Sequence, residues 1–398
     1  MSMMDLRKSF RRFLPLLLFF LLLIPAAYAI EAEDVVSKCT IRATENQDIR
    51  RYLWTDNYKQ RWEAGEKGVL NIKLPDHQTC QGVMISHYGR ETAVKILDAN
   101  GEQIGYGPGK YRVEWVPFTR NSSEFVLMRE HPEDILDISR LHVLTAGDLP
   151  DWVQRWETID SPAELMLIST HPDDEILWFG GILPYYAGEL RRKVIVVYMV
   201  GALNSVRTLE LLDGLWSMGV TCYPDIGSFN DVGKHNIGSV YEYWGRNGAE
   251  KRIVEMIRKY QPQVVITQDV NGEYGHQAHV ATVNAIIDIF EKELAGNPQE
   301  YPESAAEFGV WTPFKLYIHL WKANEIRFDW NQPLSAFNGK TALEVAKAAF
   351  KKHVSQQNGK YAVRDSGQYD CSRFGLYWSS VGPDVQHNDL FENVPASE

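Results

Sequence analysis

Short apolar runs recur at close intervals in the first part of the chain: Val69–Leu74, Val83–Ser86, Ala93–Leu97, Tyr111–Val116, Phe125–Met128 and Leu141–Leu144. Turn formers separate them, among them Asp98-Ala-Asn-Gly101 and Gly105-Tyr-Gly-Pro-Gly109. Short strands at regular spacing with Gly and Asn between them predict a small all-β sandwich over residues 30–155. The pattern changes near residue 160. Leu165–Ser169, Lys193–Val200, Val264–Thr267 and Leu316–Leu320 are nearly continuous apolar runs, with a further strand predicted near Cys222. Helical patterns at Ser205–Met218, at Gly248–Tyr260 and from His276 onward lie between them. Strands that are apolar on both faces and alternate with helices predict a mostly parallel α/β sheet with helices on both faces, over residues 160–398. Asp148–Ser161, followed by Pro162, reads as the linker. Beyond a helix predicted at Thr341–His353, the chain becomes irregular and aromatic.

The first residues tell a different story. Arg7, Lys8, Arg11 and Arg12 precede an apolar run from Phe13 to Ile24, and Ala27-Tyr28-Ala29 follows as a small-x-small site. That order predicts a cleaved signal peptide over residues 1–29, and hence export to the periplasm or the medium. A run of 12 residues is shorter than the roughly 20 that a membrane-spanning helix needs, and no later run is longer. The expectation is therefore no transmembrane segment after cleavage. Cys39, Cys80, Cys222 and Cys371 make an even count. In an exported chain this allows disulfides, expected as Cys39–Cys80 and Cys222–Cys371, one in each domain. The formal net charge is −11. So acidic a chain is a poor holder of nucleic acid or anionic lipid through its overall field.

Candidate chemistry lies at two places. Ser169-Thr-His-Pro-Asp-Asp-Glu175 follows the first apolar strand, and Gly272-Glu-Tyr-Gly-His-Gln-Ala-His279 follows the strand at Val264–Thr267. In open α/β sheets, ligands bind at the C-terminal ends of parallel strands. The two segments are about a hundred residues apart in sequence, yet the topology brings both to one sheet edge. Three N/O ligands with a vacant position form a catalytic rather than a structural metal site. His131-Pro-Glu-Asp134 looks like the first segment, but lacks a following Gly-Gly pair such as Gly180-Gly181, an ensuing buried helix and a His-x-x-His partner, and reads as a loop. There is no HExxH and no GxSxG, which leaves zincin proteases and serine hydrolases without support.

These segments resemble the LmbE-like/PIG-L family of metal-dependent N-deacetylases. The resemblance rests on His171-Pro-Asp-Asp-Glu175, on Gly180-Gly181, and on Tyr274-Gly-His276 with His279. It covers roughly residues 163–320, and more weakly His353-Val-Ser-Gln356. It implies a Rossmann-like sheet, with Zn2+ or alternatively Fe2+ held by His171, Asp174 and His279. It implies Asp173 as general base, His276 as the cation or acid that stabilises an oxyanion, and Tyr274 at the substrate carbonyl. Arg207 resembles a substrate-binding position, and Asp231 a family Asp after a strand end. The family often has Asp where this chain has Ala278, and that Asp can orient the first His. Around Tyr52–Trp62, Val69–Leu74 and Val94–Gly101 the N-terminal part is similar to discoidin-like (F5/8 type C) sandwiches, which implies a module able to hold sugar. The implied reaction removes an N-acetyl group from a GlcNAc-containing glycan or glycoconjugate. Two other readings stay open: a metal-dependent amidase acting on a non-sugar amide, and a catalytically weak glycan-binding protein.

Overall fold

The structure is a computed structural model. It describes residues 30–43, 49–54, 58–64, 68–159, 162–202, 204–232, 236–357 and 359–396. The predicted signal peptide lies outside the described residues.

Nine strands build the sandwich: β1 (Thr40–Ala43), β2 (Trp62–Glu63), β3 (Val69–Lys73), β4 (Cys80–His87), β5 (Val94–Asp98), β6 (Gln103–Gly107), β7 (Val113–Ser122), β8 (Glu124–Arg129) and β9 (Asp137–Thr145). One antiparallel sheet runs β1-β3-β8-β5-β6 and the other β7-β4-β9-β2, and the Gly105–Phe118 pairing joins them. Alternation in sequence becomes alternation in burial. In β3, Leu70 and Ile72 point inward while Asn71 and Lys73 face out. These inward residues meet Ile85, Ile96, Phe125, Leu127 and Leu141 in one core.

The second sheet contains β10 (Leu165–Ser169), β11 (Val194–Val200), β12 (Asp225–Phe229), β13 (Val264–Thr267), β14 (Lys315–His319), β15 (Glu325–Arg327) and β16 (Arg373–Ser379). Its order is β12-β11-β10-β13-β14-β16-β15. The first five strands run parallel, and β16 and β15 close the edge antiparallel. All seven residues of β11 are buried. Val194, Val196 and Tyr198 enter one core, and Ile195, Val197 and Met199 the other. A strand covered on both faces has no polar side to show, which is why its sequence reads as one apolar run. The helices are α1 (Arg50–Leu53) in the sandwich and then α2 (Asp174–Leu177), α3 (Ser205–Ser217), α4 (Ile237–Trp244), α5 (Arg246–Tyr260), α6 (Gly272–Gly275), α7 (Gln277–Glu291), α8 (Pro302–Phe308) and α9 (Ala342–Phe350). Asn204 caps α3 by accepting from the Arg207 amide, and Thr341 and Glu344 form a capping box on α9.

The sandwich is built into the α/β part rather than tethered to it. Tyr58, Met84, Val113 and Leu144 share a core with Trp156, Leu212 and Leu215. Asp213 of α3 accepts from Tyr58 Oη at 2.6 Å and from Gln154 Nε2 at 2.7 Å, and pairs with Arg140.

Four sequence expectations need correction. The four cysteines are free, buried thiols. Cys39 and Cys80 donate to the Val35 and Ser122 carbonyls, and Cys371 fills the space beside Gly180. Burial pushes Cys39, Cys80 and Cys371 up to about 12, which suits packing rather than thiolate chemistry. The strand expected at Cys222 lies at Asp225–Phe229, because Cys222 makes only an isolated bridge to Glu157. The helix expected from Gly248 begins at Arg246, directly after α4. The irregular C-terminal stretch contains β16, which pairs with β14 on one side and the edge strand β15 on the other. Among the described residues, no helix is long and apolar enough to cross a membrane.

Candidate metal centre and active site

β10 ends at Ser169 and the chain turns through Thr170, His171 and Pro172 into α2. β13 ends at Thr267 and passes through Gln268 and Asp269 into α6 and α7. The two strands are parallel neighbours, with Ile168 beside Thr267. Chain order reverses about β10, so this edge is the switch point where ligands settle. The Gly-Gly pair follows from packing. A Cβ at Gly180 would strike Cys371, and one at Gly181 would strike the Trp330 ring.

Three donor atoms converge at this edge. His171 Nδ1 lies 3.1 Å from Asp174 Oδ2 and 3.0 Å from His279 Nε2, and His279 Nε2 lies 3.2 Å from Asp174 Oδ2. Ligand atoms about 2.1 Å from a tetrahedral zinc stand ~3.4 Å apart. The triangle therefore needs only a few tenths of an ångström to hold such an ion. Each imidazole is oriented by a carboxylate at its other nitrogen: His171 Nε2 by Asp231 Oδ1 at 3.1 Å, and His279 Nδ1 by Glu273 Oε2 at 2.7 Å. This pairing is characteristic of metal-bound histidines. Asp174 is fixed in turn by the His171 amide, by Gln268 Nε2 and by the Trp178 indole N–H, at 2.8, 3.1 and 2.8 Å. One nitrogen from each of His171, His276 and His279 also lies within 4.8 Å of the others.

The electrostatics favour a cation. Burial opposes charge on Asp174, yet His279 and His171 hold its carboxyl well below the usual range. Burial also opposes charge on His279, yet Asp174 and Glu273 lift it to about 10. Without a metal, a proton on His279 balances the carboxylates around it, and a divalent ion would replace that proton.

The expected catalytic residues border the triangle. Asp173 has φ 147° and ψ −22°, a strained conformation for a residue with a Cβ. Its amide donates to Glu175 Oε2 at 2.8 Å. Burial and the Asp174 charge push its carboxyl up to about 6, while Arg207 opposes them. Arg207 donates through Nε and Nη2 to the Pro172 carbonyl and stands 3.1 Å from Asp173 Oδ2. Its guanidinium thus grips the turn that carries Asp173, where the sequence reading places it on the substrate. His276 Nδ1 accepts the Ala278 amide at 3.3 Å, so the proton resides on Nε2. The backbone amide of Ala278 thus orients the His276 ring. Burial, then His171 and His279, push His276 down to about 4. It is a neutral donor at neutral pH and not the cation that the sequence allowed. The Tyr274 ring stands at the rim, 39 % exposed, 5.7 Å from the rings of both His276 and His279.

Glu273, Gln268 and Trp178 escaped the sequence reading. Glu273 is fully buried in a turn at φ 55°, and also accepts the Asp269 amide at 2.9 Å. An acid directly before the Tyr-Gly-His run was the available signal. Trp178 lies four residues after Asp174, on the same helical face.

Residues 166–290 match the family model described as PIG-L: GlcNAc-PI de-N-acetylase. This stretch, under a third of the chain, is similar to the PIG-L family. A curated relative from Catenulispora acidiphila, 1D-myo-inositol 2-acetamido-2-deoxy-alpha-D-glucopyranoside deacetylase 1, is 27 % identical over 183 residues, which are 38 % of this chain and 54 % of that protein. The chain spans about half the length of the first curated relatives it matches. Among solved structures, the N,N'-diacetylchitobiose deacetylase from Pyrococcus horikoshii is similar over 49 % of this chain and 70 % of its own, with 18 % identity and a TM-score of 0.36. A Streptococcus pneumoniae fucose binding module is similar over 29 % of this chain and 96 % of its own, with 11 % identity and a TM-score of 0.24. Every site residue described above falls inside the PIG-L-type match, whereas the sandwich and β14–β16 fall outside it.

Proposed function

We propose that the chain is a metal-dependent hydrolase that removes the N-acetyl group from a GlcNAc-containing glycan or glycoconjugate. His171, Asp174 and His279 hold the ion, Zn2+ or alternatively Fe2+. The observation that carries this reading is the closed triangle of their donor atoms, with Asp173 and His276 beside it. A divalent metal in such a site supplies a Lewis acid and makes water a stronger acid. Asp173 has its carboxyl near 6, so it is mostly ionised at neutral pH and strong enough as a base to take a proton from the attacking water. It then returns that proton to the departing amine. His276 donates through Nε2–H to the negative charge that develops on the acyl oxygen. The hydroxyl of Tyr274 is pushed up by burial and by Asp174, stays protonated, and donates at the rim. Arg207 keeps the Asp173 carboxylate aimed.

The same reading makes residues 1–29 a cleaved export signal, so that the reaction takes place outside the cytoplasm. It makes residues 30–155 a discoidin-like, sugar-facing module and residues 160–398 the deacetylase domain. Metal analysis of the purified protein, together with acetate release from N-acetylated saccharides, tests the function. About one metal per chain with acetate release supports it. A chain that takes up neither zinc nor anaerobic ferrous iron refutes it.

A further inference from the structure

The segment that follows α9 lies outside the PIG-L-type match, yet it reaches the rim of the site. The Tyr361 ring stands 5.1 Å from that of Tyr274, tilted by 35°, and 5.9 Å from that of Trp178, whose indole holds Asp174. Lys360 places its ammonium 5.0 Å from the Tyr361 ring centre and 5.8 Å from that of Tyr274. Tyr274 and Tyr361 are partly exposed and Lys360 is exposed. Residues 351–364 include Lys351, Lys352, Lys360 and Arg364 and no acid, in a chain whose net charge is −11. All four basic side chains are exposed. The centre itself is acidic, with Asp173, Asp174 and Asp231. An aromatic wall with a cation on top, directly beside an acidic centre, sorts a substrate by its parts. In such an arrangement the acyl group would face His171, Asp174 and His279, a ring would lie against the tyrosines and a negative group would point to the lysine.

We propose that Tyr361 and Lys360, with Tyr274, form a subsite for the non-acetyl part of the substrate and select N-acetylated saccharides that carry an anionic group. This deepens the hydrolase reading and rests on it. Tyr361 supplies a ring face, and Lys360 supplies a point charge that accepts phosphate or carboxylate alike.

Calorimetric titration of the full chain in its Asp173→Asn form, which slows turnover, tests the inference with three probes. These are N-acetylglucosamine 1-phosphate, N-acetylmuramic acid, and the neutral methyl glycoside of N-acetylglucosamine. At low salt one or both anionic sugars bind about 10-fold more tightly than the neutral one. Which of the two does so tells phosphate from carboxylate. The preference falls to near unity in Lys360→Met and at high salt. Tyr361→Ala weakens all three about 10-fold, and Tyr361→Phe restores most of the loss. Equal binding of the three sugars, no binding of any, or a preference that survives Lys360→Met overturns the proposal. The salt dependence of the preference is read on the Asp173→Asn chain itself and needs no second substitution to fold. Acetate release by the unmodified protein is scored separately. Anion-selective binding without release would remove the hydrolase reading and leave the subsite standing. Release with no preference for charge would do the reverse.

Discussion

His171-Pro-Asp-Asp174 and His131-Pro-Glu-Asp134 differ by one methylene group across four residues. Both follow a strand, β10 in one case and β8 in the other. The first is at the C-terminal end of a parallel strand, where a second strand end and a helix start face it. His171 and Asp174 are buried there and share partners with His279, Gln268 and Trp178. The second lies in a turn beyond an antiparallel strand. His131, Pro132 and Glu133 are exposed, and the turn is closed by the Asp134 amide donating to the His131 carbonyl. The same residue types form a buried, interlocked cluster in one place and a solvated turn in the other. What separates them is the set of neighbours that the sheet brings within 3 Å or so, and the burial that makes each charge depend on those neighbours.

Substitutions can break or sharpen this contrast. The largest effect is expected from Asp174→Ala and His279→Ala. Each should abolish stoichiometric metal binding, measured by elemental analysis, and lower deacetylation at least about 1,000-fold, because each removes a corner of the triangle. Asp173→Asn should keep the metal and lose about 100- to 10,000-fold in kcat, the usual contribution of a positioned general base. Metal retained with a near-native rate would remove Asp173 from that role. Glu273→Gln should weaken metal affinity about 10- to 100-fold, since the carboxylate behind His279 fixes its ring. A competition titration with a chelator reads that number. Arg207→Gln should act more subtly. Arg207 lowers the Asp173 carboxyl against burial and Asp174, so its loss raises that carboxyl further. The ionised base is then lost at a higher pH as acid is added, and the acidic limb of kcat/KM should move up by about one pH unit. An unmoved or downward limb would mean that Arg207 does not govern the base. The smallest effect belongs to the turn: His131→Ala and Asp134→Ala should leave metal content and rate unchanged and alter stability by no more than about 0.5 kcal/mol, read by thermal unfolding.

Much of the frame was legible along the chain. Leu165–Ser169 and Val264–Thr267 are strands with the predicted limits, and Ser205–Met218 is helical to within one residue. Those segments are covered on both faces or strongly patterned, so local composition and tertiary burial demand the same thing. Elsewhere the two part. β16 passes through Gly375, where a Cβ would strike the Trp321 backbone, and a glycine inside a short run weakens the strand signal. Only pairing with β14 and β15 makes it a strand. The cysteine count permitted pairs, yet all four thiols are free and buried, held as packing groups in the core.

The candidate site divides in the same way. Residue types at two strand ends, and the rule that parallel strands present their C-terminal ends together, were enough to unite His171 and Asp174 with His279. Nothing local could indicate that Ala278 donates to His276 through its backbone, that Glu273 backs His279, or that Arg207 turns to Pro172 and Asp173. The sequence by itself determined the sheet, its switch point and which side chains gather there, because apolar period and chain order are local or topological properties. The tertiary structure alone decided which nitrogen holds a proton, which carboxyl is raised and which residues wall the rim, because protonation and contact depend on distances of a few ångströms between residues far apart in the chain.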